Sequence, residues 1–305
     1  MRLATSTNLF GKGRGGRMHT PYIESIRRCH ASGFRVLDFS FVELFFTHTE
    51  LWEDNWQYEI ELIRNEAERL GVTFVQSHLP YNPGYMPEWK SEEQRVRYVK
   101  HMDRSILASA MLGVRWAVVH PFTQCTDTEY DDAASICFNR EFYSSAIELA
   151  MKQGVGIAFE NMIEYPQRRK FSARAEELVA LADAFGDDRI GVCWDFGHGQ
   201  RIYRDLARPV KVLGKRLKAL HINDNHAVSD QHFLPFMGTV NWEDVMNALW
   251  DVGYKGDFTY EVYGLTKMMP EALKDAAARY AYELGTYCIG LYNKNTQGAS
   301  DLGNG

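Results

Sequence analysis

A chain of 305 residues with 45% hydrophobic, 13% aromatic and 24% charged residues has a soluble globular composition and ample material for a large core. Its net charge of -6 gives no global electrostatic case for nucleic acid, although a local basic patch would escape such a count. Cys29, Cys125, Cys137, Cys193 and Cys288 are odd in number and form no paired spacing. That pattern fits buried thiols in a reducing compartment rather than a disulfide framework or a zinc knuckle. The opening MRLATSTNLF lacks a long apolar run and no stretch reaches the length of a membrane span, so a cytoplasmic protein without a membrane partner is expected.

Leu3 to Asn8 reads as a first strand. The glycine-rich, basic Gly11 to Arg17 lacks the GxxxxGK[ST] spacing of a phosphate cradle and reads as a loop over the mouth of the fold. Thr20-Pro21 reads as an N-cap followed by proline in the first turn of a helix that runs to about Ser32 and closes at Gly33. A second strand, Phe34 to Phe39, leads to a long aromatic loop and a helix from about Trp56 to Leu70. Strand three, Val72 to His78, is followed by a proline-rich loop and a helix that opens with Glu92 and Glu93, where the helix dipole favours acids. Strand four, Val114 to His120, precedes a helix over Asp131 to Lys152, and strand five, Val155 to Glu160, precedes a helix over Ala173 to Phe185. Between them, Arg168, Arg169 and Lys170 read either as a solvated face or as a grip on an anionic substrate group. Strand six, Ile190 to Asp195, a helix over Tyr203 to Leu213, strand seven, Leu217 to Ile222, and a helix from Trp242 to Val252 follow. Strand eight, Phe258 to Val262, and a helix over about Pro270 to Leu284 complete the pattern.

Alternating β and α elements imply parallel strands, and eight such units without a linker-like break fit a single (β/α)8 TIM barrel of the α/β class. The expected catalytic domain spans residues 1–293, and 294–305, rich in Gly, Asn and Ser, reads as a flexible tail. In this fold the site lies at the C-terminal ends of the strands.

Those ends carry a consistent chemistry. VGIAFE stops at Glu160, GVCWD at Asp195, LKALH at His221 and FTYE at Glu261. Three carboxylates and an imidazole on neighbouring strands suit one hard or borderline divalent cation, Mn2+, Mg2+, Co2+ or Zn2+. A lone acid at a strand end is as often solvated or capping as functional, but three acids and an imidazole in phase on consecutive strands point to a site. VTFVQSH and WAVVH end in the same way at His78 and His120, which either ligate metal or bind substrate hydroxyls. His198, three residues after Asp195, and the pair Asp230 and His232 are candidates for further metal or substrate sites. Glu160 and Glu261 are candidate acid/base groups that take a proton from a substrate carbon and return it.

The motifs HLPY, HP, FEN, WDFGH, HINDN, DQHFLPFMGTVNW and YE together resemble the xylose-isomerase-like barrel superfamily over most of the chain. The resemblance implies a metal-dependent isomerase, epimerase or related lyase. Its substrate would be a sugar, sugar phosphate or cyclitol-type polyhydroxy carbonyl compound, with proton transfer through a metal-stabilised enediolate. In the ketose 3-epimerase branch, residues matching Glu160, Asp195, His221 and Glu261 hold the metal, and one matching His198 helps bind substrate. After the strand-seven histidine that branch usually has Glu and then Arg, where this chain has HINDN. In the endonuclease IV branch, residues matching all nine candidates hold up to three Zn2+ for cleavage of abasic DNA, and Tyr81 stands where that branch has an intercalating tyrosine. A further alternative in the superfamily is the catalytic barrel of a C-glycoside-cleaving complex. A carbohydrate-type small molecule is the expected partner, and a homo-oligomer is left open.

Overall fold

The computed structural model describes residues 1–11, 20–82, 91–124, 130–166, 168–267 and 269–302, with side chains described as far as Asn293. The expected mouth loop beyond Gly11, and Cys125, lie outside the described residues. The strands are β1 (Leu3–Ser6), β2 (Val36–Ser40), β3 (Thr73–His78), β4 (Trp116–Val119), β5 (Gly156–Glu160), β6 (Ile190–Asp195), β7 (Leu217–His221) and β8 (Phe258–Tyr260). They alternate with α1 (Tyr22–Ala31), α2 (Trp56–Leu70), α3 (Glu92–Met111), α4 (Asp132–Gln153), α5 (Ala175–Phe185), α6 (Phe196–Gln200), α7 (Ala207–Leu213), α8 (Trp242–Asp251), α9 (Gly264–Lys267) and α10 (Glu271–Leu302).

Strands β1 to β7 pair in parallel in chain order, and β8 pairs with β1. The last seam is a single bridge. Ile222 N–H donates to Thr259 O at 2.8 Å and Glu261 N–H to Ile222 O at 3.1 Å, which joins β7 to β8 and closes the TIM barrel. Successive residues of a strand face opposite sides. Small side chains therefore fill the barrel on β4 to β7, where Val118, Ala158, Cys193 and Ala219 form one cluster. The residues between them, such as Phe159 and Trp194, pack outward in the larger core under the helices. Phe159 stacks on Phe185 of α5, with ring centroids 5.6 Å apart. This double burial explains why β5 and β6 read as continuous apolar runs.

Some expected boundaries shift. Thr20 does not cap α1; its hydroxyl donates to Phe10 O at 2.8 Å, and Pro21 occupies the N-cap position. The helix expected from Tyr203 begins at Ala207, after the short α6. Helix α10 continues to Leu302, past the Leu284 at which its expected span ends. Cys29, Cys193 and Cys288 are buried and unpaired, whereas Cys137 is an exposed thiol on α4.

The long segment between β7 and α8 is shaped by one buried carboxylate. Asp224 Oδ1 accepts from the N–H of Asn225 and Val240, at 2.9 and 3.1 Å. Its Oδ2 accepts from Phe236 N–H at 3.1 Å and Trp242 Nε1–H at 3.0 Å. The segment makes its turns at non-glycine positions, with φ of 50° at His232 and 68° at Phe236. Such strained backbone persists only where its surroundings over-determine it. Each buried donor left without an acceptor costs about 1–3 kcal/mol. Asp224→Ala is therefore expected to lower unfolding stability by roughly 2–4 kcal/mol in urea titration, and a loss below about 0.5 kcal/mol would contradict this role.

Candidate metal centre

The strands deliver their terminal side chains to one end of the barrel in register: Ser40 opposite His78, and Asp195 opposite His221. The structure brings the nine candidates into groups, two of which share Glu160 while a third stands beside them. His78, His120 and Glu160 form one, Glu160, Asp195, His221 and Glu261 a second, and His198, Asp230 and His232 a third, each with its potential ligand atoms within 4.8 Å of one another. His78 also groups with His221 and Glu261.

Hydrogen bonds to carbonyl oxygens decide how the imidazoles face. A carbonyl only accepts, so a ring nitrogen bonded to one carries the proton. His78 Nδ1–H donates to Leu79 O and His120 Nδ1–H to Asn82 O, both at 2.9 Å. His198 Nδ1–H donates to Asn161 O at 2.8 Å, and His232 Nδ1–H to Glu261 O at 2.7 Å. Each Nε2 then points into the site, either bare or carrying the second proton of an imidazolium. The Nε2 atoms of His78 and His120 lie 3.1 Å apart, and 3.1 and 3.2 Å from Glu160 Oε2. Those of His198 and His232 lie 3.6 and 3.0 Å from Asp230 Oδ1. His221 is turned the other way. Its Nδ1 is 2.9 Å from Glu160 Oε1 and 3.4 Å from Glu261 Oε2, and its Nε2 faces Asp38 Oδ2 at 3.7 Å.

This arrangement fits divalent metal. Ligating histidines characteristically direct their second ring nitrogen at a carbonyl or carboxylate, and all five do so here. Glu261 Oε2 and Asp230 Oδ1 are buried oxygens without a hydrogen-bond partner of proper geometry among the described residues. Nitrogen and oxygen donors in this mixture suit zinc or manganese.

Without a cation the carboxylates and imidazoles titrate against one another. Burial would raise the Glu160 carboxyl, but the imidazoles of His221, His120 and His78 outweigh it and hold it well below the usual range. Burial pushes Glu261 up to about 7, against the pull of His221 and His232. Burial would lower His232, yet Asp230 and Glu261 hold it up at about 10.

A second layer positions the candidate ligands. Asn161, of the FEN motif, donates to Asp195 O at 2.8 Å and accepts from Asp195 N–H at 2.5 Å, bracing β5 against β6. Asp195 Oδ1 accepts from His198 N–H at 2.6 Å, so the residue also caps α6. Its Oδ2 accepts from Asn223 Nδ2 at 2.7 Å. Gly197 makes room for this contact, since a Cβ there would overlap Asn223 Oδ1. The glycine of WDFGH and the asparagine of HINDN are thus one device. Tyr81 packs on Phe46 and against His120, with centroids 5.0 and 5.5 Å apart.

Sequence reasoning passed over Asp38. Within FRVLDF it reads as one residue of a buried run, and its only signal is a charge inside an apolar strand. Tyr263, with its ring centroid 4.3 Å from that of His232, carried no signal. In the sequence Lys170 reads either as surface or as a grip on substrate, and the structure buries it in the wall of the cavity. Burial, partly offset by Glu160 and Asp230, brings its amine down to about 8. The cavity over the centre has a volume of about 430 Å³ and is walled by Phe46, Met162, Ile163, Tyr165 and Tyr263.

A closed parallel barrel with a buried histidine–carboxylate cluster at its C-terminal end is a TIM barrel whose strand ends could hold a metal ion. The chain belongs to the xylose isomerase-like TIM barrel family, whose model matches residues 26–284. An uncharacterized protein of Sinorhizobium fredii, y4fM, is 29% identical over 132 residues, covering 43% of this chain and 37% of that protein. The chain thus spans less than half the length of the curated relatives it matches, 37% and 40%. Among solved structures, a D-tagatose 3-epimerase-like protein superimposes with a TM-score of 0.76 at 18% identity, over 97% of this chain and 100% of that one. The IOLI protein with a bound zinc atom superimposes with a TM-score of 0.72 at 14% identity, over 96% and 99%. At these identities the likeness is one of fold.

Two outcomes follow from the geometry. Gly197→Ala displaces Asn223 from Asp195, and disturbing such a support typically costs about 10–100-fold in metal affinity. Calorimetric titration of zinc or manganese checks this, and unchanged affinity would contradict it. The raised value of His232 stabilises the metal-free fold fully below about pH 6.5, and that contribution is lost as pH rises through about 10. Burial would lower His221, but Cys193, Glu160 and Glu261 hold it well above its ordinary value; a ligating imidazole is neutral, so loading metal at pH 8 is expected to expel protons. Calorimetry in buffers of different ionisation enthalpy is expected to show buffer-dependent heats, and identical heats would count against it.

Proposed function

We propose that the protein is a divalent-metal-dependent isomerase or epimerase, or a related lyase, acting on a sugar, sugar phosphate or cyclitol-type polyhydroxy carbonyl compound. One observation carries this reading: Glu160 and Glu261 meet in the four-residue group at the base of a cavity of about 430 Å³, a size for a small molecule. Glu160, Asp195, His221 and Glu261 would hold the cation, which when bound supplies positive charge against substrate oxygens. The protein's own part is proton movement. One glutamate takes the proton from a carbon next to the carbonyl, and the other returns it on the same or the opposite face. His78, His120 and His198, at the wall of the cavity, orient hydroxyl groups. The superposition on a D-tagatose 3-epimerase-like protein and the zinc in the IOLI protein support the substrate class and the metal.

A second reading, a trinuclear zinc phosphodiesterase acting on abasic DNA, is favoured by a separate observation. The group His198, Asp230 and His232 has the same imidazole orientation as the others and could hold a further ion.

Elemental analysis of purified protein, with solvent deuterium exchange into a ketose panel and cleavage of abasic DNA run in parallel, separates the two. Exchange with about one metal per chain supports the first; DNA cleavage with about three zinc and no exchange overturns it. Glu160→Gln and Glu261→Gln are each expected to cut exchange by about 10²-fold or more while the fold persists. Substantial exchange in both variants would sink the two-glutamate mechanism.

A further inference from the structure

The basic run divides: Arg168 is exposed and Arg169 half-buried, but Lys170 is turned inward. Lys170 is 5% exposed, and Phe171, Ser172 and Ala173 after it are buried. The neighbouring arginines hold the loop itself: Arg169 pairs with Glu164 at 2.6 Å and with Glu177, and Arg174 pairs with Glu164 at 3.2 Å. The same Glu164 carboxylate accepts from the backbone N–H of Lys170 at 2.8 Å, and Thr123 Oγ1 accepts from that of Phe171 at 3.0 Å. Ser172 then takes a φ of 72°, a left-handed conformation rare for a non-glycine residue. A backbone clamped on both sides and strained at one residue has a fixed direction. Here it sets Lys170 into the cavity wall, within electrostatic reach of Glu160 and Asp230.

The cavity is otherwise rich in acceptors. Glu43, Glu160, Asp230 and Glu261 line it, and Lys170 is the one lysine or arginine among its described lining residues. A polyhydroxy carbonyl compound is itself mostly oxygen, and removing a proton beside its carbonyl places negative charge on one of those oxygens. An ammonium offers three donors and no acceptor, and its hydrogen bond to an anionic oxygen is about twice as strong as a neutral one.

We propose that Lys170 is a catalytic residue that contacts the substrate, its ammonium donating a hydrogen bond to the oxygen that gains charge when the adjacent carbon gives its proton to a cavity carboxylate. The C–H bond breaks, and its electron pair becomes the second bond of a C=C. The carbonyl π pair moves onto the oxygen, and the proton rests on the carboxylate. Lys170 keeps its own protons throughout, and nothing is oxidised or reduced. This role rests on the isomerase reading proposed above.

The test compares the parent with Lys170→Met and Lys170→Gln, all metal-loaded, with metal content and melting temperature measured first. If the methionine variant loses metal or stability, the glutamine variant carries the comparison. The probe is glycolohydroxamate, a two-carbon oxyanion, titrated by calorimetry, alongside solvent deuterium exchange into the ketose panel. Expected are an affinity at least about 10-fold weaker and a kcat for exchange about 10²-fold lower, with KM changed less and metal content unaltered. A residue acting only as a counter-ion for Glu160 and Asp230 would instead shift metal affinity and leave probe binding alone. Probe affinity and exchange within about threefold of the parent would overturn the role of Lys170 and leave the isomerase reading standing. Lys170-dependent probe binding without exchange of any sugar would uphold the oxyanion contact and overturn the isomerase reading. A parent that neither binds the probe nor exchanges overturns both.

Discussion

The carbonyl oxygens of Leu79, Asn82, Asn161 and Glu261 each take an Nδ1–H, and so turn the Nε2 atoms of His78, His120, His198 and His232 toward carboxylates and toward one another. Two Nε2 lone pairs at 3.1 Å beside a carboxylate repel unless a proton or a cation lies among them. The remaining features of the centre answer that constraint: buried carboxylates accumulate around the imidazoles, and Asp230 and Glu261 hold His232 up at about 10 against burial. A cation held by Glu160, Asp195, His221 and Glu261 would compete with protons for His221 Nδ1, which would couple loading of the site to pH.

Barrel closure makes the constraint possible. Strands β5 to β8 lie side by side, so residues distant in the chain end at one level without a long loop to carry them. Asn161 ties the end of β5 to that of β6, and Asn223 ties the loop after β7 to Asp195. Asp38 backs His221 from β2. Ligands set on strands and held by such contacts are positioned more tightly than ligands on free loops. Asp230 and His232 are the exceptions, and the buried Asp224 carboxylate organises the segment that bears them.

Much of this was legible in the chain because apolar runs that stop at His, Glu or Asp mark both the strand and its functional end. Glu160, Asp195 and His221 close strands as their runs suggest, while His120 and Glu261 sit one residue past theirs. What was not legible depends on direction rather than composition. Asp38 lies inside an apolar strand, and no pattern tells which buried residue turns toward His221. Lys170 sits in a run that looks like a solvated face, and only the Glu164 clamp and the left-handed Ser172 reveal that it is turned inward. Thr20 has the right type for a helix cap but spends its hydroxyl on Phe10 O, a tertiary contact that local propensity does not contain. The seam between β7 and β8 rests on one bridge, below anything a strand pattern signals.

X-ray absorption at the K-edge of the bound metal reports whether the histidine–carboxylate cage at the strand ends is the metal centre. A first shell of nitrogen and oxygen only is expected, with the outer-shell scattering characteristic of imidazole. That imidazole signature is expected to weaken in His221→Ala. A first shell containing sulfur, such as that of buried Cys193, or a hydrated ion without imidazole scattering, would contradict it.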